Sequence, residues 1–218
     1  MSETTLTTGE TAEILALLAE IYPDAHCELN FRTPFELLVA TMLSAQTTDR
    51  KVNAVTANLF ERCQSPEGCL NLGLTALEEQ IKSLGLFHNK AKHILATCRR
   101  LQEDYDSKVP QDIATLMTLP GIGQKTANVI VSNAFGIPAI AVDTHVFRVA
   151  NRVGLAHSTK VLQVEQSLRK LVPRNQWSKA HHLLIWHGRR LCTARKPRCS
   201  DCPLKPYCRH YRTLTASA

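Results

Sequence analysis

Four cysteines near the C-terminus constrain this chain more than any other feature of its sequence. They follow the spacing Cys192-x6-Cys199-x2-Cys202-x5-Cys208. Four thiolates so close together form a ligand set for either a tetrahedral zinc ion or a cubane iron–sulfur cluster. The longer gaps are unusual for the paired knuckles of zinc ribbons, but the spacing alone leaves both centres open. Two structural disulfides are a third, weaker alternative, because intracellular thiols stay reduced.

The rest of the sequence is typical of an intracellular globular protein. The chain has 218 residues, of which 44% are hydrophobic, enough for one large domain or two small ones with a buried core. The N-terminal residues show neither a basic region nor an apolar run, and no stretch reaches the length of a membrane span. We therefore expect a monomeric protein of a bacterial or archaeal cytoplasm. The remaining cysteines are expected to be free thiols packed as small apolar residues: Cys27, Cys63, Cys69 and Cys98.

The positive charge of the chain is concentrated around the cysteines. The formal net charge is +7, and the segment from Arg189 to Arg212 contains eight Lys or Arg residues and one acid, Asp201. Basic and acidic residues are equal in number over the rest of the chain. Such a surface suits a polyanion such as nucleic acid. It would equally neutralise an anionic cluster of thiolates, and both interpretations stay open.

Hydrophobic periodicity predicts an all-α protein with short connectors. Two capping boxes, Thr33-Pro34-Phe35-Glu36 and Thr75-Ala76-Leu77-Glu78, mark helix starts. The best candidate for a strand, Pro138 to Val142, is only five residues long. The predicted helices cover residues 11–22, 34–44, 49–63, 75–85, 89–104, 111–118, 124–135, 143–153, 160–172 and 176–191.

The segment Leu119-Pro120-Gly121-Ile122-Gly123 is predicted to form a hairpin between two helices. Gly121 and Gly123 permit a tight turn with positive φ, and Ile122 can fill the gap between the helices. The amides of the turn and of the next helix would then form a donor array for one phosphate, which the helix dipole favours. Such contacts position DNA without reading its bases. An ordinary turn between helices is the alternative.

Lys125 follows the hairpin directly, and Asp143 lies 18 residues further along the chain. Lys125 is either another phosphate-binding lysine or a nucleophile, because an amine attacks carbon only when neutral and a helix N-terminus disfavours the ammonium form. Asp143 is a candidate N-cap for the helix that begins at Thr144. Its carboxylate could also face Lys125 across a cleft, although spacing alone makes that pairing speculative.

Taken together, four motifs in this order resemble endonuclease III, the bifunctional iron–sulfur DNA glycosylase family of the helix–hairpin–helix superfamily. The resemblance extends from about residue 10 to residue 212. Its motifs are Leu43-Ser44-Ala45-Gln46-Thr47-Thr48-Asp49, Leu119-Pro120-Gly121-Ile122-Gly123-Gln124-Lys125-Thr126-Ala127, Val142-Asp143-Thr144-His145-Val146-Phe147-Arg148 and the cysteine loop.

The resemblance implies two helical domains that flank a DNA-binding cleft. A six-helix barrel with the helix–hairpin–helix would span residues 27–137. The second, discontinuous domain would combine residues 1–26 with residues 138–218, and its cysteine loop at 192–208 would bind one [4Fe-4S] cluster rather than zinc.

The resemblance also implies base-excision repair of double-stranded DNA. An oxidised pyrimidine of the thymine-glycol type must be flipped out of the duplex to be reached. Lys125 would then attack the anomeric carbon, while Asp143 stabilises positive charge on the sugar and takes up the amine proton. The resulting Schiff base acidifies the neighbouring sugar hydrogens, so β-elimination breaks the 3′ phosphodiester. A lysine nucleophile thus gives glycosylase and lyase activity, whereas an activated water gives only the first.

The same resemblance supplies candidates for contact with DNA beyond the hairpin. Gln46 and Leu86 would fill the hole left by the flipped base, and His145 would line the cleft. Core packing is the alternative for Leu86, and a histidine satisfied within its own helix is the alternative for His145. Lys90 and Lys92 are interpreted as a solvated basic edge.

Two other functions remain as alternatives. The related adenine-specific mismatch glycosylases share the hairpin, the aspartate and the cluster, but they lack a lysine at the position of Lys125 and usually carry a further C-terminal domain. A non-enzymatic DNA-binding module with a structural metal would leave the pair Lys125 and Asp143 without a purpose. Borohydride trapping separates the three, because only an amine-using lyase forms a reducible imine.

Overall fold

The computed structural model describes residues 6–216 and contains eleven α-helices and one 3₁₀ turn over that range. No β-strand occurs in the described residues, which confirms the all-α class, and residues 138–142 form an extended connector. Within the same range, every helix is too short or too polar to span a membrane. The helices are α1 Thr8–Ile21, α2 Pro34–Leu43, α3 Asp49–Leu59, α4 Pro66–Ile81, α5 Phe87–Asp104, α6 Ile113–Leu116, α7 Gln124–Ala134, α8 Thr144–Val153, α9 Val161–Leu171, α10 Trp177–Arg190 and α11 Arg209–Ala216, and the 3₁₀ turn is Arg174–Gln176.

The chain divides into two compact units. The first unit consists of Met1–Cys27 and Pro138–Ala218 and carries α1 and α8 to α11. The second unit, Glu28–Ile137, carries α2 to α7. Residues 1–5 and residues 217 and 218 lie outside the part of the chain that the structure describes.

In the first unit, α8 and α10 pack closely because a glycine separates them. A Cβ added to Gly188 would lie 3.0 Å from the Cβ of His145 and 3.2 Å from the guanidinium of Arg148, tighter than ordinary packing allows. Cys202 and Leu204 from the cysteine loop belong to the same buried core as the helices. The loop is therefore packed into this unit rather than appended to it.

In the second unit, α2 is buried along nearly its whole length. All of its residues except the first are buried, as expected for a helix that is apolar on every face. Thr33 caps it by accepting from the amide of Glu36 at 3.1 Å. The side chain of Glu36 accepts from the amide and guanidinium of Arg32, each at 2.6 Å. The predicted capping box is therefore only half formed, since its return bond goes to Arg32 instead of Thr33.

The helix predicted for residues 75–85 is the second half of a longer, kinked element, α4. Ser65 caps α4 by accepting from the amide of Gly68 at 3.1 Å, and Gly73 interrupts the helix with φ 77° and ψ 168°. Glu78, the glutamate of the second predicted capping box, instead pairs with Nδ1 of His88 at 2.9 Å. The prediction thus found the second segment and missed the first.

Two of the four cysteines expected to be free are joined in a disulfide. Cys63 and Cys69 are bonded across a Cα–Cα distance of 4.5 Å, and both are wholly buried. Cys27 and Cys98 are not part of a disulfide, and burial raises the pKa of the Cys98 thiol to about 12. The prediction of four free thiols was wrong for the first pair because the chain turns back between α3 and α4, a fold that the spacing does not reveal.

Candidate functional site

The hairpin between α6 and α7 has the predicted geometry at one of its two glycines. Gly121 has φ 78°, a conformation that strains residues with a side chain, and an added Cβ would lie 2.9 Å from Nδ1 of His93. Gly123 is the N-cap of α7 with φ −101° and ψ 175°, so the expected positive φ applies to Gly121 only. Ile122 is buried, which is consistent with the predicted packing.

The open end of α7 presents backbone donors beside Lys125. Among the described residues no side chain caps this helix, so the amides of its first turn are available to an anion. Lys125 is the second residue of α7 and is exposed. The carbonyl of Pro120 accepts from the hydroxyl of Thr97 on α5 at 2.9 Å, which anchors the hairpin to that helix. This end of the second unit therefore combines a phosphate-sized donor array with an exposed amine.

Asp143 caps α8 in the first unit. Its Oδ1 accepts from the amides of His145 and Val146, both at 2.8 Å. The N-cap role considered from the sequence is thus what the structure shows. Because both bonds end at Oδ1, Oδ2 can accept a proton or interact with a developing positive charge.

His145, in the first turn of α8, is half-buried and neutral. Burial lowers its pKa, against a smaller opposing effect from Asp143. Nδ1 of His145 lies 3.2 Å from the guanidinium of Arg148, and a hydrogen bond with the backbone of Gly188 partly opposes the effect of burial on the pKa. The ring of His145 therefore already has hydrogen-bond partners within the first unit.

Gln46 and Leu86 share an unusual backbone conformation. Both have positive φ, 54° and 59° respectively, which is uncommon for residues that carry side chains and clusters at functional sites. Leu86 is 55% exposed, so the alternative of core packing does not apply. Lys92 is exposed as expected, but Lys90 is only 5% exposed. Its interpretation as part of a solvated edge was therefore wrong.

The four cysteines of the C-terminal loop surround one cavity. Cys202 and Cys208 are buried, whereas Cys192 and Cys199 are half-buried. Further lining residues are Val153, His187, Leu191, Pro197, Arg198, Lys205, His210 and Tyr211.

The donor set of this cavity fits a polynuclear cluster. Within residues 6–216, no three His, Cys, Asp or Glu side chains meet closely enough to hold a single metal ion. Four thiols that line one cavity match the four thiolate ligands of an iron–sulfur cubane.

Two arginines of α8 hold the start of the loop. Arg152 donates to the carbonyls of Thr193 and Ala194 at 2.7 and 3.0 Å. Arg148 donates to the carbonyls of Gly188 and Cys192 at 2.8 and 3.0 Å. Sequence reasoning missed both residues, because an arginine inside an amphipathic helix carries no local signal of the carbonyls that it will meet.

His187 is a further residue of this centre that the sequence did not single out. Its Nε2 lies 3.7 Å from Sγ of Cys202 and its Nδ1 lies 3.3 Å from the hydroxyl of Tyr22. Burial lowers the pKa of His187 to about 4 and raises the pKa of Cys202 to about 11. A neutral ring that accepts from Tyr22 and donates toward Cys202 satisfies both contacts.

The basic segment around the loop uses its charges in two ways. Arg198, Lys205 and Arg212 donate to backbone carbonyls of the loop and of the end of α10. Arg195 and Lys196 are exposed. The segment therefore both holds the loop in place and presents the exposed charges of Arg195 and Lys196 at its surface.

Comparisons with known proteins identify relatives that cover most of the chain. Residues 39–174 match the model of the HhH-GPD superfamily base excision DNA repair protein, and residues 192–208 match the iron–sulfur binding domain of endonuclease III. Endonuclease III of Bacillus subtilis is 50% identical over 193 residues, which are 88% of each chain.

Two solved structures are similar to this chain. One is a non-covalent endonuclease III–DNA complex, with a TM-score of 0.92, 48% identity and coverage of 97% of this chain and 99% of the other. The second is a trapped endonuclease III–DNA covalent intermediate, with a TM-score of 0.92, 48% identity and coverage of 96% and 99%.

Proposed function

Since this chain belongs to the endonuclease III family of base-excision DNA repair enzymes, we propose that it removes oxidised pyrimidines from duplex DNA with Lys125 as the nucleophile. It is a bifunctional DNA glycosylase and abasic-site lyase. The observation that carries the assignment of Lys125 is its position: an exposed amine in the first, uncapped turn of α7, directly after the hairpin. A group held there meets a sugar whose phosphate lies on the amides beside it.

The chemistry uses an amine that begins and ends the cycle unchanged. The neutral Nζ of Lys125 forms a bond to C1′ of the flipped nucleotide as the bond from C1′ to the base breaks, and the base leaves with that electron pair and takes up a proton. The sugar ring then opens to a Schiff base between C1′ and Nζ. Loss of a proton from C2′ is followed by cleavage of the bond from C3′ to oxygen, so the 3′ phosphate group departs. Hydrolysis returns the lysine.

Asp143 serves as the partner carboxylate in this scheme. Its Oδ1 is occupied by two amides of α8, which fixes the orientation of the group. Its Oδ2 can take the proton that Nζ loses on attack and stabilise positive charge on the sugar. We also assign His145, in the first turn of the helix that Asp143 caps, to the lining of the cleft.

Base flipping calls for side chains that replace the extruded nucleotide. Gln46 and Leu86 stand on two turns with positive φ and are both exposed, so we assign them to the hole in the duplex. The hairpin from Gly121 to Gly123 is assigned to a phosphate, since its amides offer donors without base selectivity. Thymine glycol and related oxidised pyrimidines are the proposed substrates.

The cofactor is a [4Fe-4S] cluster, and we assign Cys192, Cys199, Cys202 and Cys208 as its ligands. When bound, the cluster would supply a charged centre around which the loop folds. The chain's own arginines and His187 hold the ligands in place, as described above. We propose that one chain acts alone, because every assigned residue belongs to it, and that it works where the bacterial chromosome lies.

Borohydride trapping on a thymine-glycol duplex tests the proposal directly. The wild-type protein should form a covalent adduct that survives denaturation, because the reagent reduces the imine between Nζ and C1′. Release of the base without any trapped adduct would contradict the lysine mechanism and favour an activated water. A mismatch glycosylase specific for adenine would be inactive on this duplex.

A further inference from the structure

Lys90 is a buried lysine that links the two turns with positive φ. Its Nζ donates to Oγ1 of Thr47 at 2.8 Å, and Thr47 directly follows Gln46. Its own amide donates to the carbonyl of Leu86 at 3.0 Å, the first backbone bond of α5. One residue therefore contacts the turn of Gln46 through its side chain and the turn of Leu86 through its backbone.

Helix α5 extends this arrangement toward the hairpin. Thr97, seven residues after Lys90 and thus on the same face of the helix, donates to Pro120 at 2.9 Å. His93, between them, lies against Gly121. The helix begins immediately after Leu86. Three turns assigned to DNA thus meet one rigid helix, all within the second unit.

We propose that Lys90 is a positioning residue for base flipping, which holds the turn of Gln46 in register with Leu86 through its bond to Thr47. This inference rests on the proposed function, because it presumes that Gln46 and Leu86 enter the duplex. It does not place Lys90 in contact with DNA or with the reacting atoms. Lys90 would act indirectly, by fixing the positions of the two turns that carry Gln46 and Leu86.

The energetics of Lys90 support such a role over simple stabilisation. Burial lowers its pKa, so the charged form is held at a cost that a hydrophobic residue of similar length would avoid. Thr47 is half-buried, and its hydroxyl is a neutral partner that only partly offsets that cost. A lysine in this place is therefore explained better by the geometry that it fixes than by a gain in folding free energy.

The experiment compares matched variants on two substrates. Lys90→Met removes the amine and keeps the length of the side chain, and Thr47→Val removes the hydroxyl and keeps its shape. Lys92→Met removes the same charge from an exposed position on the same helix and serves as the control. Each variant is assayed on a thymine-glycol duplex and on a preformed abasic site in single-stranded DNA, where no opposing strand leaves a hole to fill.

We expect Lys90→Met and Thr47→Val to slow base release from the duplex by about 10- to 100-fold, the scale of an ångström-sized misplacement. Cleavage of the single-stranded abasic site should stay near the wild-type rate for both. With 2-aminopurine opposite the lesion, the stopped-flow fluorescence change that reports base opening should slow in parallel. The double variant should be no slower than Lys90→Met, because both changes break the same bond.

Two results would overturn the inference. One is wild-type base release from the duplex by both variants. The other is an equal loss on the two substrates with a lower melting temperature, which would make Lys90 a structural residue; we expect its replacement by Met to leave the melting temperature unchanged or raised. Failure of the wild-type protein to form a borohydride adduct is a separate outcome that rejects the proposed function and not the link between the turns.

Discussion

The guanidinium of Arg152 lies 3.6 Å from Sγ of Cys192, although Arg152 stands on α8, far from the loop in sequence. The charge of the proposed ligand thiolates would therefore be offset in part from outside the basic C-terminal segment. That assignment leaves Arg195 and Lys196, two exposed cations of the segment, available for a polyanion. The sequence left two interpretations of the charge open, and each now has candidate residues: Arg152 for neutralisation of the thiolates, and Arg195 and Lys196 for contact with DNA.

Reversal of Arg195 and Lys196 to glutamate should weaken duplex binding for all sequences. Each phosphate that loses its cation also stops releasing a counterion, so the plot of log affinity against log salt concentration should become less steep by about one to two counterions. The measurement is a salt titration of binding by fluorescence anisotropy. The same double reversal at Lys160, the N-cap of α9, and Lys170 in its last turn controls for net charge. An unchanged slope would assign the two cations to the loop alone.

Cys199→Ser should lower the iron content and loosen the C-terminal loop. The wild-type protein is expected to be brown, with broad absorbance in the blue and about four irons per chain. The variant should lose most of that absorbance and bind duplex DNA more weakly. Cys27→Ser, which changes a half-buried cysteine outside the loop, should keep both. One zinc and no iron in anaerobically purified wild-type protein would reject the cluster.

The periodicity of the sequence was sufficient for the fold class and for most helices, because amphipathic faces repeat along the chain. It failed where the signal was short or masked. The capping box of α1, in which Thr7 and Glu10 bond reciprocally, was missed. The residues around it are mostly polar and include Gly9, so the apolar pattern of the helix becomes visible only from Thr11 onward. Helix α11 was missed because none of its residues is buried, so no apolar stripe marks it.

The same distinction between local and non-local signals applies to the candidate site. Motifs with a fixed local geometry, the hairpin and the cysteine spacing, could be found from sequence. Contacts between residues far apart in sequence could not, such as those of Lys90 with Thr47 and of His187 with Cys202. The disulfide of Cys63 and Cys69 is local, at a separation of six residues, but its spacing does not show that the chain turns back there. Burial of Lys90 was the opposite of the expectation, since a lysine near a helix start is usually solvated.

The buried His182 should make the protein less stable in mild acid. Burial lowers its pKa to about 2 from 6.5, so the folded state keeps it neutral while the unfolded chain binds a proton below pH 6.5. Stability is therefore full above that pH and falls as the pH is lowered, by at most ~1.4 kcal/mol per unit for this residue. Urea unfolding between pH 5 and 7 measures the slope. His182→Asn should make the slope shallower and leave the part that the buried His187 contributes; an equal slope would contradict the assignment.

Asp143→Asn should separate capping from catalysis. Asparagine caps a helix about as well as aspartate, so the variant should fold and melt like the wild type. It cannot take up a proton or stabilise positive charge, and base release should slow by about 100- to 10,000-fold. Asp112→Asn, which changes the aspartate that caps α6, is the matched control and should turn over normally. Normal turnover by Asp143→Asn would limit Asp143 to its role as a cap.

Lys125→Gln tests the nucleophile itself. Glutamine removes the amine but keeps hydrogen-bonding capacity and much of the length, and the amides of α7 that hold the phosphate are unchanged. We therefore expect retained affinity for thymine-glycol DNA, with base release, strand cleavage and the borohydride adduct all lost. Lys160→Gln, an exposed lysine at the start of α9, controls for the loss of one charge. If Lys125→Gln instead abolishes binding while base release per bound complex stays normal, Lys125 is a phosphate clamp, and the attacking group must be water or another amine.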